Sequence, residues 1–260
     1  MPELPEVEFA AATLDSAVRG KTIARVTLHH PSLAKRVTRS ALRRLEGLRI
    51  VAVERRGKHQ LIGLSDGSAI HVHFRMTGDW SVGRGGDAVP RFMRARFDLA
   101  DGTRIALVDP RALATVALLA DGEDALPPLG PDALGRAFTA AALAIALGRR
   151  HGPIKPALLD QRIVAGLGNI YAAEALWEAK ISPTASASGL APARRGALVR
   201  AIRLVLRRAK RRSGRYANGD AEGRFKVYDR EGEPCRRCGE AIARIVQAGR
   251  STYYCPACQV

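Results

Sequence analysis

Residues 231–260 read EGEPCRRCGEAIARIVQAGRSTYYCPACQV and hold all four cysteines of the chain as two Cys-x2-Cys pairs. Cys235 and Cys238 form the first pair, and Cys255 and Cys258 form the second after sixteen intervening residues. Each pair can present two thiolates from one tight turn, and two such turns make a tetrahedral sulfur cage for Zn2+. Two disulfides or buried free thiols are the alternatives, which the absence of a secretory signal and of other cysteines disfavours. Because a four-sulfur cage is closed, the sequence predicts one structural zinc in a hairpin too small for its own core.

The tip of this hairpin carries a candidate functional residue. The stretch QAGRST at 247–252 is expected to form a rigid turn that presents Arg250. An arginine at a hairpin tip is usually only solvated, but this one would project from a metal-stapled finger of a strongly basic protein.

The charge of the chain indicates a polyanionic partner. Its 260 residues include 42 Lys+Arg against 25 Asp+Glu, a net charge of +17, so nucleic acid is the first expectation and a membrane surface the second. The apolar fraction of 47% excludes wholesale disorder, and no apolar run is long enough to cross a bilayer. Aromatic residues, at 5%, are too few for a long base-stacking platform, which favours duplex over single strands.

The first eighteen residues are the exception to this basic charge. They contain Glu3, Glu6, Glu8 and Asp15 but no basic residue, and they open with MPELPEVE. A signal peptide needs a basic start and an apolar run, so this stretch does not have the pattern of one. Its acidity also excludes an arm that binds phosphates.

A terminal proline amine would give this acidic stretch a chemical use. Removal of Met1 would leave Pro2 with a free secondary amine, which can attack an aldehyde-like sugar carbon and form an iminium. Glu3 and Glu6 lie on either side of that chemistry and can move protons or orient a substrate. Lys58 offers a second amine in a chain that has only seven lysines. An acidic helix entry and a chance surface lysine are the plain alternatives.

Residues up to about 120 have the pattern of an antiparallel β-sandwich. An alanine-rich helix is expected at Val7–Val18. Alternating apolar and polar residues, separated by turns, predict strands at Arg49–Glu54, His59–Leu64, Ala69–Met76, Ala95–Leu99 and Arg104–Val108. His71 and His73 share one face of their strand, where sheet-face histidines are the plain interpretation.

A linker is predicted at residues 121–131, DGEDALPPLGP, which are acidic and rich in proline and glycine. It would separate a sandwich domain at 1–120 from a helical DNA-binding domain at 132–224 and a zinc finger at 225–260.

Beyond the linker the pattern is helical. One helix face is expected to contain Leu198, Ile202, Val205 and Ala209, with arginines elsewhere around the helix. The basic side of this helix either faces phosphates or is simply solvated.

A helical hairpin is predicted just before that helix. A short helix at Leu158–Val164 is broken at 165–168, and Asn169 caps a second helix at Ile170–Lys180. The two glycines of the break allow a close backbone approach, and a helix N-terminus can hold an anion, although such hairpins more often serve packing. Lys155, just before the hairpin, is either functional or plain surface charge.

Six motifs, spread over essentially the whole chain, together resemble one known family. They are MPELPEVE at 1–8, RRGKH at 55–59, DPR at 109–111, IKP at 154–156, GLGNIYAAEALWEAKISP at 166–183 and EGEPCRRCG…GRSTYYCPACQ at 231–259. In this order they resemble bacterial formamidopyrimidine-DNA glycosylase, and PELPE resembles that branch more than its sister, endonuclease VIII.

The resemblance implies a bifunctional base-excision enzyme that flips a damaged nucleotide out of duplex DNA. The implied fold is α+β and multidomain, with an N-terminal antiparallel β-sandwich and flanking helices, a C-terminal helix–two-turn–helix domain and a four-cysteine zinc-finger hairpin. The implied substrates are oxidised purines, 8-oxoguanine and formamidopyrimidines, removed through a Schiff base on the N-terminal proline with β,δ-elimination after it. The same chemistry on oxidised pyrimidines or abasic sites, and a non-catalytic damaged-DNA-binding protein, are the alternatives.

The resemblance also implies residue roles. Pro2 is the Schiff-base nucleophile, Glu3 the proton donor and Glu6 an orienting group. Lys58 serves β-elimination and phosphate contact, and Arg250 serves phosphate contact and δ-elimination. The DNA backbone around the lesion would be held by His73, Arg150, Lys155 and Asn169. The gap left in the base stack would be filled by Met76, Arg111 and Leu113.

Several positions depart from the family pattern. Leu113 stands where the family usually has Phe, and Phe92 and Arg94 occupy the segment of a His-x-His pair that contacts DNA. Asp229 replaces a usual Gly, and the loop at 213–225, which caps the flipped base in the family, diverges. These departures fall on the parts that select the lesion and the opposite base.

The expected partners are damaged double-stranded DNA and one structural Zn2+. No membrane and no obligatory protein partner are expected, and the protein is expected to be a cytoplasmic monomer, associated with the nucleoid through DNA.

Overall fold

The computed structural model describes residues 1–34, 37–123, 126–211 and 225–260. The chain divides into two compact units, Met1–Pro2 with Glu6–Leu126 and Glu3–Pro5 with Pro127–Val260. Three residues of the acidic start therefore belong to the second unit. The loop predicted at 213–225 lies outside the described residues, apart from Phe225.

The first part of the chain forms two antiparallel sheets. Its elements are α1 (Leu4–Val18), β1 (Ile23–Leu28), α2 (Pro31–Ala34), α3 (Arg39–Arg43), β2 (Ile50–Arg56), β3 (His59–Leu64), β4 (Ala69–His73), β5 (Asp79–Arg84), β6 (Met93–Leu99), β7 (Thr103–Val108) and β8 (Thr115–Leu119). The four-stranded sheets have the orders β1-β6-β7-β5 and β2-β3-β4-β8. The predicted antiparallel sandwich with flanking helices is confirmed.

One apolar core joins the two sheets and α1. It contains Leu14 from α1, Ile62 from β3 and Phe97 from β6, all buried. In β4, buried Ile70 and Val72 alternate with the half-buried histidines, because successive side chains of a strand point to opposite faces. This alternation is the signal from which the strand could be predicted.

The strand predicted at Ala69–Met76 ends earlier, at His73. Arg75 adopts a φ of 54°, which is incompatible with an extended strand, and the Gly78 amide donates to the Phe74 carbonyl at 3.0 Å. A turn therefore replaces the last residues of the predicted strand.

The second part of the chain is helical and ends in a hairpin. Its elements are α4 (Ala140–Leu147), α5 (Ile154–Leu159), α6 (Asn169–Glu178), α7 (Pro192–Lys210), β9 (Ala243–Gln247) and β10 (Arg250–Tyr254). The predicted apolar face of α7 is confirmed, since Leu198, Ile202 and Ala209 are buried and Val205 packs against the same core. No helix among the described residues is long and apolar enough to cross a membrane.

Two local predictions in the helical hairpin are wrong. The helix expected at Leu158–Val164 lies at Ile154–Leu159, because the Asp160 carboxylate accepts the Arg162 amide at 3.0 Å and replaces the helical pattern. Asn169 is the first residue of α6 and not its cap, since Gly168 has the extended cap conformation.

The C-terminal hairpin has a two-residue turn. β9 and β10 pair antiparallel with Arg250 opposite Gln247, and the turn residues Ala248 and Gly249 have φ values of 48° and 70°. Two consecutive positive φ angles are typical of a type I′ turn, whose twist suits a tight hairpin. The predicted tip is confirmed, and it leaves Arg250 exposed.

Candidate functional site

Glu3 is a buried carboxylate at the start of α6. It accepts the backbone amides of Gly168 at 2.8 Å, Ile170 at 2.8 Å and Tyr171 at 3.3 Å. The first amides of a helix have no partner within the helix and carry a partial positive charge, so they bind an anion well. The start of this helix therefore does hold an anion, and the chain itself supplies it.

Two glycines make room for the residues around Glu3. A Cβ on Gly168 would lie 2.4 Å from Cδ of Glu3, and a Cβ on Gly166, whose φ is +94°, would lie 2.7 Å from Cδ1 of Leu4. The Leu4 amide also donates to the Gly166 carbonyl at 3.0 Å. The close approach predicted from these glycines is confirmed, and the N-terminal segment is what approaches.

The other N-terminal candidates belong to the first unit. Pro2 and Glu6 are buried, whereas Met1 is exposed. Glu6 lies in the first turn of α1, where a negative charge is favourable.

Lys58 lies in the turn between β2 and β3 and is buried. It is followed by His59, which stands opposite His73 in the β3–β4 register. The rings of His59 and His73 meet edge to face with their centroids 4.7 Å apart, and Nδ1 of His59 lies 2.8 Å from Nε2 of His71. Sequence reasoning missed His59, although strand register alone pairs it with His73.

His73 is a neutral hydrogen-bond donor at physiological pH. Burial, together with His59, Arg75 and Lys58, lowers the pKa of His73 to about 3. Its Nδ1 accepts the Arg75 amide at 2.9 Å, so the ring proton is on Nε2. A phosphate contact by His73 would be an N–H donation and not an ion pair.

A second group of candidates comes together around Lys155. Its ammonium donates to Oδ1 of Asn169 at 2.6 Å, to the Ser251 carbonyl at 3.1 Å and to Oγ1 of Thr252 at 2.8 Å. Nδ2 of Asn169 also donates to the Ser251 carbonyl at 3.0 Å. These bonds join the start of α6 to β10 directly beside Arg250.

Lys155 is fully satisfied by acceptors within the chain. The residue is 0% exposed, and three acceptors match its three donors. Burial lowers the pKa of Lys155 to about 8, against an opposing effect of Glu3. Arg150, a further candidate, pairs with Asp160 at 2.7 Å.

The candidates for the gap in the base stack surround one buried carboxylate. Asp109 accepts the amides of Leu113 at 2.6 Å and Ala114 at 2.7 Å through Oδ2, and that of Arg111 at 3.2 Å through Oδ1. The Thr77 hydroxyl, next to Met76, also donates to Oδ1. Asp109 thus fixes the whole turn, a role that its DPR motif did not reveal.

Glu174 is a second residue that sequence reasoning missed. It is buried in α6 and accepts the amides of Lys226 at 2.9 Å, Val227 at 2.9 Å and Tyr228 at 3.0 Å. Burial raises the pKa of Glu174, while these amides oppose the rise. The acidic residue in the middle of a mostly apolar helix was the available signal.

The four cysteines form one cluster, as predicted. Their sulfur atoms all lie within 4.8 Å of one another, and Sγ of Cys238 and Cys255 are 3.5 Å apart. A zinc ion with Zn–S bonds of about 2.3 Å needs sulfur atoms about 3.8 Å apart, so the donor set fits. All four positions are protein ligands, and the metal therefore supplies structure and not catalysis. Nε1 of Trp177 donates to Sγ of Cys235 at 3.4 Å, which favours a thiolate.

Three family models match the chain in sequence. They are the formamidopyrimidine-DNA glycosylase N-terminal domain at residues 1–116, the formamidopyrimidine-DNA glycosylase H2TH domain at 129–218, and a zinc finger found in FPG and IleRS at 232–260.

Individual relatives agree with these models. A formamidopyrimidine-DNA glycosylase of Ruegeria pomeroyi is 40% identical, with 100% of both chains covered. The structure is similar to that of Lactococcus lactis formamidopyrimidine DNA glycosylase bound to DNA with an AP site, at a TM-score of 0.90 and 30% identity over 99% of each chain. A complex of MutM with DNA that contains carbocyclic 8-oxo-G is similar at a TM-score of 0.91, with the same identity and coverage.

Proposed function

The chain belongs to the formamidopyrimidine-DNA glycosylase family, and on that premise we propose that it is a bifunctional enzyme that excises oxidised purines from duplex DNA. The damaged base leaves its sugar, and the strand is then cut at the resulting abasic site. The proposed substrates are 8-oxoguanine and formamidopyrimidines.

The fixed position of Glu3 supports this proposal most directly. Chain termini are usually poorly ordered unless they are tied down. Here three amides hold the carboxylate next to Pro2, and Leu4 adds a backbone bond to Gly166. A terminal amine beside a fixed carboxylate supplies both an attacking atom and a group for proton transfer.

The proposed reaction begins on the amine of Pro2, freed by removal of Met1. Its nitrogen attacks C1′ of the flipped nucleotide and passes its proton to the Glu3 carboxylate, the bond to the base breaks, and the base takes a proton from water as it leaves. As the sugar ring opens, Glu3 gives the proton to O4′, and the nitrogen and C1′ form an iminium. Glu6 orients these groups.

Two eliminations then cut the strand. Loss of a proton from C2′ sends electrons towards the iminium and expels the 3′ phosphate, and a second elimination expels the 5′ phosphate. We assign proton transfer and phosphate contact in the first elimination to Lys58, and phosphate contact in the second to Arg250. A cationic side chain beside a leaving phosphate stabilises its charge.

The DNA contacts follow from the same proposal. His73, Asn169 and Arg150 donate to phosphates around the lesion, and Lys155 holds Asn169 in place for this. Met76, Arg111 and Leu113 fill the gap left by the flipped nucleotide, which offsets an unstacking cost of a few kcal/mol.

An excision assay on duplexes tests the proposal. The purified protein is incubated with duplexes that carry 8-oxoguanine, an oxidised pyrimidine or an abasic site, and with an undamaged control. We expect the 8-oxoguanine strand to be cut with a phosphate on both new ends. If only the oxidised-pyrimidine or abasic duplexes are cut, oxidised purines are not the substrate, and the activity is that of the sister branch, endonuclease VIII. If the protein binds damaged duplexes but cuts none of them, the proposal that it is an enzyme is contradicted.

A further inference from the structure

Three exposed apolar side chains lie around the turn that Asp109 fixes. Met76 is 37% exposed, Phe92 39% and Leu113 43%. Single exposed apolar residues are common, but these three all lie next to bonds made by one fully buried residue, Asp109. The Asp109 carboxylate accepts the Leu113 amide and the hydroxyl of Thr77, next to Met76, and the Asp109 backbone amide donates to the Phe92 carbonyl. Of the three, only Phe92 has a flat aromatic face.

The backbone of Phe92 is tied to this turn. Its carbonyl accepts the Asp109 amide at 3.0 Å. Nε of Arg94 donates to the Asp109 carbonyl at 2.7 Å, and Nη2 donates to that of Pro110 at 3.2 Å. Phe92 is therefore held beside the turn that carries Leu113 and is not part of a separate loop.

Backbone strain is concentrated at the same place. Among the described residues, non-glycine residues with positive φ include Arg75 at 54°, Phe92 at 64° and Ala112 at 52°. Arg75 directly precedes Met76, and Ala112 directly precedes Leu113. A bulky residue in this region is a true outlier, and such strain persists where the surrounding structure imposes it, often at functional sites.

The ring of Phe92 is surrounded by positive charge. The guanidinium carbon of Arg91 lies 4.5 Å from the ring centroid and that of Arg94 lies 5.9 Å from it. Arg111, exposed on the adjoining turn, adds a third cation. An exposed aromatic face with arginines around it matches a nucleobase flanked by phosphates, and it disfavours an apolar protein partner.

We propose that Phe92 is a specificity-determining residue of this site, whose ring stacks on a nucleobase exposed when the damaged nucleotide leaves the helix. Met76 and Leu113 fill space, whereas Phe92 supplies the stacking surface that these aliphatic side chains lack. Arg91 and Arg94 contact the phosphates next to that base. This inference rests on the proposed function, because it needs a gap in the duplex.

The test uses the full chain and a duplex with a tetrahydrofuran abasic analogue, which has no base to excise. Stacking of one base on one aromatic ring corresponds to roughly a tenfold or greater change in affinity. We expect F92A to bind this duplex about tenfold more weakly and F92Y to bind it like the wild type. Affinity for an undamaged duplex is expected to change less than about twofold, because no base is exposed there.

Two further variants separate stacking from a structural role. Phe9 on α1 is 44% exposed, so F9A is a matched control that should leave both affinities unchanged. F92G removes the strained aromatic residue at its positive φ, so its Tm should equal or exceed that of the wild type while its affinity for the analogue falls. A purely structural Phe92 predicts the opposite, a lower Tm.

The inference is overturned if F92A binds the abasic analogue like the wild type, or if F92Y binds it as weakly as F92A. In either case cutting of 8-oxoguanine duplexes by the wild type would leave the proposed function standing. If the wild type neither prefers a damaged duplex over the undamaged one nor cuts any duplex, both the inference and the proposed function fail.

Discussion

Buried carboxylates have a structural role in a chain with a net charge of +17. Glu3 accepts three amides at the start of α6, and Glu174 accepts three amides of Lys226–Tyr228 from within the same helix. A buried charge is tolerated only when it is well hydrogen-bonded, and amides satisfy this without a cation. Glu3 and Glu174 therefore need no ion pairs with the basic side chains of the protein.

Substitution of Glu3 tests its structural role apart from chemistry. E3Q replaces an oxygen that accepts amides with an NH2 group that cannot, so we expect a loss of about 1–3 kcal/mol in the free energy of unfolding. Urea unfolding measures this, with E54Q, at an exposed glutamate, as the control. Equal stability of E3Q and the wild type would show that the three amides do not bind Glu3 in solution.

The lowered pKa of Lys155 should make the stability of the protein depend on pH. Burial lowers its pKa to about 8 from 10.5, so between these pH values the unfolded chain binds more protons than the native one. Stability should therefore gain from Lys155 as pH rises from about 8 to 10.5, by at most about 1.4 kcal/mol per pH unit.

The measurement compares urea unfolding of the wild type and K155M from pH 7 to 10. The stability difference between them should change with pH in favour of the wild type, whereas K180M, at an exposed lysine, should show no such change. A difference that is constant with pH would mean that Lys155 titrates normally.

At the scale of elements, the zinc hairpin is expected to depend on its metal. It shares a small core with α6, in which Trp177 is buried against Cys235 and the Arg237 guanidinium lies 3.9 Å from the Trp177 ring centroid. Removal of zinc by a chelator should expose Trp177, because a site of four thiolates supplies much of the folding free energy of a small finger.

Fluorescence of Trp177 in a W80F background measures this, since the chain has two tryptophans. We expect a red shift on chelation, its reversal by added zinc, and about one zinc per chain. An unchanged spectrum after complete loss of metal would contradict a structural zinc. C238S should show the shift without chelator.

Elements with local signals could be predicted from the sequence. The Cys-x2-Cys pairs predict the zinc finger, and the alternation of apolar and polar residues predicts strands such as β3. β5 has no such alternation, since most of its residues are half-exposed, and it was not predicted individually. The cap of α6 could not be predicted either, because it comes from Glu3, 165 residues away from Gly168.

The candidate site could be predicted only in part, because some of its residues have local sequence signals and others do not. Glu3 and Lys58 are conspicuous as exceptions to the arginine-rich composition, Pro2 is conspicuous because removal of Met1 would free its amine, and the motifs carry a family resemblance. Asp109, His59 and Glu174 have roles that exist only once distant segments are in contact. The sequence signals His59 only through strand register and Glu174 only as an acidic residue in an apolar helix, and neither signal identifies the partner segment of Glu174 or the amides that Asp109 accepts.

At the scale of the molecule, the positive charge predicts salt-dependent DNA binding. Each phosphate contact releases counterions, so the logarithm of affinity falls linearly with the logarithm of salt concentration. R250A, which removes an exposed cation at the hairpin tip, should reduce this slope by about one. R19A, at an exposed arginine paired with Asp15, is the control. An affinity that does not vary with salt would contradict phosphate contact as the basis of binding.

The central claim is that the amine of Pro2 forms a covalent bond with the DNA sugar. The protein is mixed with an 8-oxoguanine duplex in the presence of borohydride, which reduces an iminium to a stable amine, and the adduct is digested and mapped by mass spectrometry. We expect one DNA strand per chain, attached to a peptide that begins at Pro2 and lacks Met1. An adduct on Lys58 or any other lysine, or strand cutting without any trapped adduct, would contradict it.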